Sequence, residues 1–301
     1  MTSPRPRLPE RVPRLVATDL DGTLLDPSGQ VSPRTVDALR AAADAGVDVV
    51  FVTARPHRWL ADVAPHVAGH GVAICANGAS VIDVATLAVL EDHGMAPEVV
   101  VALAARLRDA LGGPGRVHLA AESARGFARE RGFASSHPVP EGSPCADRIE
   151  DVLSTSTLKL LVQTDDAPGP GGADAFSAAV AEAVGDLATA ADSGALGLGE
   201  ISARDVTKAA TLASWTARRG LEPADVWAVG DAPNDLTMLA WAGTSFAVAN
   251  AHPSVRAAVD HVLPSNADDG VAVLLEHAGV FARSEGRRGV RPRAAGGRAS
   301  P

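Results

Sequence analysis

The chain has no tyrosine, and aromatic residues make up only 3% of its 301 residues. Its apolar content is aliphatic and alanine-rich instead, and at 46% it is enough for a full core. That excludes a mainly disordered chain. Cysteine is scarce too. Cys75 and Cys145 alone cannot make a disulfide framework, and so few thiols point to a reducing compartment. Lysine is as rare: of 27 basic residues only Lys159 and Lys208 are lysines, so arginine is the default cation. Acidic residues outnumber basic ones 36 to 27, a net charge of −9 that excludes an electrostatic nucleic-acid binder. Long apolar runs are missing as well. None reaches the roughly 18 residues of a membrane span, and the Met-Thr-Ser-Pro-Arg start has no apolar stretch of signal-peptide length. The expectation is a cytoplasmic protein with no membrane or nucleic-acid partner.

The charge is unevenly spread. Residues 1–14 and 283–301 together carry +8, which leaves −17 for the body between them. Length allows one large domain or two ordinary ones. Short apolar runs at Leu15–Thr18, Val47–Thr53, Val72–Ala76, Val226–Val229 and Phe246–Ala249 end at Gly, Asp or Asn, as buried parallel strands do. Helical stretches lie between them. One starts at Ser32-Pro33, one spans Lys208–Arg219 before Gly220, and one spans Asp235–Ala242 before Gly243. Strand–helix alternation argues α/β with a mostly parallel sheet. The middle breaks the rhythm. Pro97–Leu111 is an amphipathic helix, Thr157–Gln163 a strand, Ala167–Gly172 a loop and Asp174–Leu187 a helix. The expected division is a disordered extension (1–12), a core (13–85 and 199–282), an inserted domain (86–198) and a disordered basic tail (283–301).

Two carboxylates follow the first strand in Asp19-Leu20-Asp21-Gly22-Thr23-Leu24-Leu25. Their i, i+2 spacing puts them on one side of an extended chain, and Gly22 lets the backbone turn at once. The carboxyl ends of strands are where open α/β sheets place their clefts. Two close carboxylates resist joint ionisation, so one can carry a proton, and oxygen-rich sites prefer Mg²⁺. An ordinary Asp-Gly turn would read the same way. A calcium loop fits less well, because Gln30 stands at the twelfth position. Gly230-Asp231-Ala232-Pro233-Asn234-Asp235 follows a second apolar strand and adds more carboxylates, though a capped βα loop would also use Asn234 and Asp235. Thr53-Ala54-Arg55 closes a third strand and offers a hydroxyl and backbone N–H groups to a phosphate. Lys208 opens a helix as a compact point charge, a role a solvated surface lysine would also satisfy.

Together these four segments resemble the haloacid dehalogenase-like phosphohydrolases, most closely the Cof type with a large α/β cap inserted after the third core strand. Cys75-Ala76-Asn77-Gly78-Ala79, Asn250-Ala251-His252-Pro253 and Asn266-Ala267-Asp268-Asp269-Gly270-Val271 resemble further signatures of that type. The similarity covers about residues 14–282. Ala54 replaces a more usual glycine, and Ala232-Pro233 fills a variable pair. The resemblance implies a Rossmann-like parallel-sheet core with the inserted α/β cap. It implies Asp19 as a nucleophile that becomes an aspartyl-phosphate, and Asp21 as proton donor and then base. Asp19, the Asp21 carbonyl and Asp231 would hold Mg²⁺. Thr53, Lys208, Asn234 and the backbone of Leu20 and Ala54 would hold the phosphoryl group, with Asp235 orienting Lys208 or a metal-bound water. The implied substrate is a small phosphomonoester, first of all a sugar phosphate. The alternatives are a phosphomutase, a phosphatase of a phosphorylated cofactor such as pyridoxal phosphate or flavin mononucleotide, and a non-catalytic metabolite-binding protein on the same scaffold.

Weaker features are read as structural. His66 and His70 are four apart, but Gly69 and Gly71 interrupt any helix there. Cys75 reads as a small core residue. Arg125, Arg129 and Arg131 read as solvated surface. Gly197-Leu198-Gly199 lacks the third glycine of a dinucleotide fingerprint and reads as a hinge.

Overall fold

The computed structural model describes residues 9, 12–67, 71–113, 115–166, 172–191 and 197–289. β1 (Leu15–Thr18) is buried along its whole length. After it, α1 (Pro33–Asp44) starts where expected: the Ser32 side chain accepts from the Thr35 N–H, and Pro33 sits in the first turn. β2 (Asp48–Val52) and β3 (Val72–Cys75) follow in parallel, and β4 (Ser80–Asp83) and β5 (Val89–Asp92) fold back antiparallel.

The chain then leaves this sheet through α2 (Pro97–Ala110), β6 (Val117–Ser123), β7 (Gly126–Glu130), β8 (Cys145–Ala146), β9 (Lys159–Thr164), α3 (Gly172–Val184), β10 (Ala188–Ala191) and β11 (Gly199–Ala203). It returns through α4 (Lys208–Ala217), β12 (Val226–Gly230), α5 (Leu236–Trp241), β13 (Thr244–Val248), α6 (Pro253–Ala258), β14 (His261–Leu263) and α7 (Gly270–Gly289). The first sheet has eight strands in the order β14-β13-β12-β1-β2-β3-β4-β5, and the second has six in the order β10-β11-β9-β6-β7-β8. The order of the larger sheet puts β12, β1 and β2 side by side at its centre, so their carboxyl ends open onto one place.

The smaller sheet is two-faced by its period of two. Leu119, Ala121, Leu160, Val162 and Ile201 pack in one core with Leu103 of α2 and Val180 of α3. Their neighbours Glu122, Phe127, Lys159, Leu161, Gln163 and Glu200 line a cavity of about 300 Å³ shared with the larger sheet's loops.

Several expectations need correction. Val89–Asp92 pairs with β4, so the larger sheet runs past residue 85. Gly199–Ala203 pairs with β9 and β10, so the inserted segment runs past residue 198. Gly199 is therefore a strand residue. A side chain there would collide with Val162 and Val180, so close packing is what requires glycine. α7 continues to Gly289, so the expected tail 283–301 begins as helix, and the rest of it lies outside the described residues. Val12, placed in the extension, packs on the larger core; most of residues 1–12 are outside the described set. β13 starts two residues early, at Thr244. Residues 68–70 and 192–196 lie outside the described residues, and with them His70 of the expected His66–His70 pair. Cys75 is fully buried, and burial pushes its thiol up to about 12, as suits an inert core residue. No helix among the described residues is long and apolar enough to cross a membrane.

Candidate active site

Asp19 is the first residue past β1, and its N–H donates to the Val229 carbonyl at 3.0 Å, which ties it to the neighbouring strand β12. The chain then makes one wide turn, closed by the Leu25 N–H on the Leu20 carbonyl at 2.9 Å. Gly22 holds φ +75° inside it, and a Cβ there would collide with the Asp231 carboxylate. Asp231 follows β12 and accepts from the Thr23 hydroxyl at 2.9 Å. Two expected C-terminal signatures turn out to be the scaffold of this turn. Asn250 Nδ2 donates to the Gly22 carbonyl at 2.7 Å, and Asn250 Oδ1 accepts from the Asn266 N–H at 2.9 Å. Asn266 Nδ2 donates to the Leu25 carbonyl at 2.8 Å.

Lys208 opens α4 and reaches into the same place. Its Nζ donates to Asp19 Oδ1 and to Asp235 Oδ1, each at 2.6 Å. Asp235 Oδ2 accepts from the Asp231 and Ala232 N–H groups, both at 3.1 Å. Both of its oxygens are thus already in use. Asp19, Asp231 and Asp235 each bring an oxygen within 4.8 Å of the others. Three carboxylates against one ammonium leave the cluster short of positive charge. Burial pushes Asp19 well above the ordinary carboxylate range, although Lys208 pulls it back, and burial raises Asp231 to about 6. Burial works against the charge of Lys208, yet Asp19 and Asp235 overcome it and raise its pKa.

The loop after β2 stands beside them. Thr53 is buried, and its Oγ1 accepts from the Arg55 N–H at 3.0 Å. Asn234 Nδ2 donates to Asn77 Oδ1 at 3.3 Å. Asn77 and Gly78 both hold positive φ, +57° and +112°. A Cβ on Gly78 would stand 2.5 Å from the Thr207 carbonyl, just where Thr207 caps α4. Gly78→Ala is therefore expected to cost about 1–3 kcal/mol in strain and to displace Lys208. A urea midpoint and a turnover rate both equal to wild type would refute this.

A family model for a haloacid dehalogenase-like hydrolase matches residues 16–275. The chain belongs to the haloacid dehalogenase-like hydrolases. Within that family it is an enzyme of the Cof-type phosphatases. The pyridoxal phosphate phosphatase YbhA of Escherichia coli is 28% identical over 287 residues, covering 87% of this chain and 97% of that protein. A phosphoglycolate phosphatase of Methanothermobacter thermautotrophicus is 29% identical over 262 residues, covering 86% and 96%. In fold, the phosphatase BT1666 of Bacteroides thetaiotaomicron superposes with a TM-score of 0.73 at 21% identity, covering 93% of this chain and 100% of that one.

In this haloacid dehalogenase-like chain the structure brings Asp19, Asp231, Asp235 and Lys208 into direct contact, and sets Thr53, Ala54 and Asn234 on the adjoining loops. Asp21 differs from its neighbours. Its carboxylate turns out to the cavity rim, where Arg55 donates to it from two nitrogens at 2.7 and 2.6 Å. Sequence reasoning quoted Arg55 but gave it no role. It also passed over Arg58, which pairs with Glu122 across the cavity at 2.7 and 3.0 Å, and Trp59, whose ring lies 4.4 Å from His137. Of Arg125, Arg129 and Arg131, the first and last are exposed as expected, and Arg131 pairs with Asp147 at 2.9 Å, whereas Arg129 is half-buried.

Proposed function

We propose that the enzyme is a Mg²⁺-dependent phosphatase of small phosphorylated metabolites, acting through a phosphoryl group carried on Asp19. The observation that carries this is the Lys208 ammonium held between Asp19 and Asp235 at the carboxyl ends of β1 and β12. The Asp19 carboxylate attacks phosphorus, and the ester P–O bond breaks as the new P–O bond forms. Asp21 gives its proton to the leaving oxygen. It then takes one from water, which attacks the acyl-phosphate and returns Asp19 and inorganic phosphate. Lys208, Thr53, Asn234 and the N–H groups of Leu20 and Ala54 offset the charge on the phosphoryl oxygens. Asp235 holds Lys208 in place.

The carboxylates fit a hard divalent cation, because a buried cluster with excess negative charge is what such an ion relieves. Asp19, the Asp21 carbonyl and Asp231 would hold it. With both oxygens taken, Asp235 is the poorer direct ligand. Held by these residues, Mg²⁺ would supply neutralisation of charge on the phosphoryl oxygens. A pH effect follows. Asp231 titrates near 6 in the folded chain, against about 3.9 for a free aspartate. Between those values the folded state holds more protons than the unfolded one, so this group's contribution to stability falls as pH rises through the window. Mg²⁺ that binds the ionised carboxylates counters the loss. Its stabilisation is expected to be larger at about pH 8 than at about pH 5, reaching about 3 kcal/mol at roughly 100-fold over its dissociation constant. Thermal unfolding with and without Mg²⁺ measures it; an equal shift at both pH values would contradict the site.

The inserted domain would act as a cap that closes the cavity and selects the substrate. Sugar phosphates are the first candidates. The cavity wall favours a second reading. Trp59, Phe127, Phe133 and His137 all line it, in a chain with 3% aromatic residues. Such walls suit a flat ring, as in a phosphorylated cofactor like pyridoxal phosphate. A panel of phosphomonoesters containing both classes, assayed with Mg²⁺ for wild type beside Asp19→Asn, tests the reading. No phosphate release from any member would end it. An isomer formed in place of free phosphate would make the enzyme a mutase.

A further inference from the structure

The chain's other lysine has no part in the chemistry above, yet it is almost as well buried. Lys159 lies on β9 and is 4% exposed. Its Nζ donates to Glu200 Oε2 on β11 at 2.6 Å, and also to the Ala54 carbonyl of the larger sheet's loop at 2.8 Å. A buried ammonium needs a counter-charge, and Glu200 supplies it. The counter-charge does not account for the second contact, which crosses from the inserted segment to the loop after β2. Glu200 crosses too, since its Oε2 accepts from Asn77 Nδ2 at 3.3 Å. Asn77 in turn donates its N–H to the Thr53 carbonyl at 3.0 Å and accepts from Asn234 at 3.3 Å. One ion pair of the inserted sheet therefore touches the Thr53–Ala54 loop directly and reaches Asn234 through Asn77.

The Ala54 carbonyl and the Arg55 N–H belong to one planar peptide unit, so fixing one fixes the other. That N–H donates to Thr53 Oγ1, which leaves the threonine proton free to point elsewhere. A compact ammonium can serve a carboxylate and a carbonyl at once, whereas this chain uses arginine for its forked pairs, as at Arg55 and Arg58. We propose that Lys159 is a positioning residue for phosphoryl transfer. Held by Glu200, it fixes the Ala54–Arg55 peptide plane and so aims the Thr53 hydroxyl at a phosphoryl oxygen, and it does so only while the inserted sheet is docked. This rests on the phosphatase reading above.

The test compares wild type, Lys159→Met and the double variant Lys159→Met/Glu200→Met. It measures kcat, KM, inhibition by inorganic phosphate, and Tm, all with saturating Mg²⁺. Lys159→Met is expected to lower kcat and weaken phosphate inhibition by about 10- to 100-fold. The double variant buries no unpaired charge, so it regains Tm but keeps the kinetic loss. A merely structural lysine would give the opposite pattern: phosphate inhibition unchanged in Lys159→Met, or kinetics restored together with Tm in the double variant. Either result overturns the proposal. Wild type that releases no phosphate would overturn the phosphatase reading itself, and this proposal with it. Activity lost in Asp19→Asn but unaffected at Lys159 would overturn this proposal alone.

Discussion

Asp19→Asn is expected to lower kcat/KM by on the order of 10⁴-fold or more while leaving the fold intact. The reason is chemical and local. An amide cannot attack phosphorus as a carboxylate does, yet it keeps the shape of the side chain and an oxygen for Lys208 at the 2.6 Å contact. The effect on stability should be small or favourable. Burial already disfavours the ionised form of Asp19, so an uncharged replacement removes a desolvation cost. The measurement is turnover on an active substrate beside thermal unfolding. Activity surviving at a tenth of wild type would mean that another group is the nucleophile. Activity lost together with the fold would mean that Asp19 is needed for structure.

Lys208→Met is expected to damage both activity and stability. The side chain is 1% exposed and is the only cation bonded to either Asp19 or Asp235 among the described residues. Removing it leaves two buried carboxylates facing each other, and breaking a buried pair this way costs about 3–5 kcal/mol. The deficit has a pH signature. Carboxylates that lose their cation take up protons instead of unfolding the chain, so the gap to wild type should narrow as pH falls. Denaturant midpoints at neutral and acidic pH read this directly. A neutral-pH midpoint equal to wild type would show that the ammonium is not needed to hold the cluster.

The sheet core was legible because its strands are short, buried and nearly uniform. Leu15–Thr18 reads the same in sequence as in structure, since no residue in it has a reason to face water. The segments proposed to be catalytic stand out for a related reason: Asp19-Leu20-Asp21-Gly22 and Gly230–Asp235 are contiguous, and each sits where a strand ends. The inserted sheet was mostly missed. Its strands β6 (Val-His-Leu-Ala-Ala-Glu-Ser) and β7 (Gly-Phe-Ala-Arg-Glu) mix alanine and charge, which have weak strand preference. Buried charged residues of the inserted sheet find partners only in the assembled fold, as Glu122 of β6 finds Arg58 and Glu200 of β11 finds Lys159 of β9. Pairs more than forty residues apart leave no local signal. The rarity of lysine was the one trace of them, and it marked both Lys208 and Lys159.

The central claim is that a phosphoryl group passes through Asp19. Asp21→Asn should retain attack on a substrate with a good leaving group but fail to activate water against the acyl-phosphate. Mixed with such a substrate and Mg²⁺, quenched rapidly in acid and digested, this variant is expected to yield one phosphorylated peptide, the one that contains Asp19, by mass spectrometry. Phosphate on a different residue, or steady phosphate release with Asp19 never modified, would contradict the mechanism.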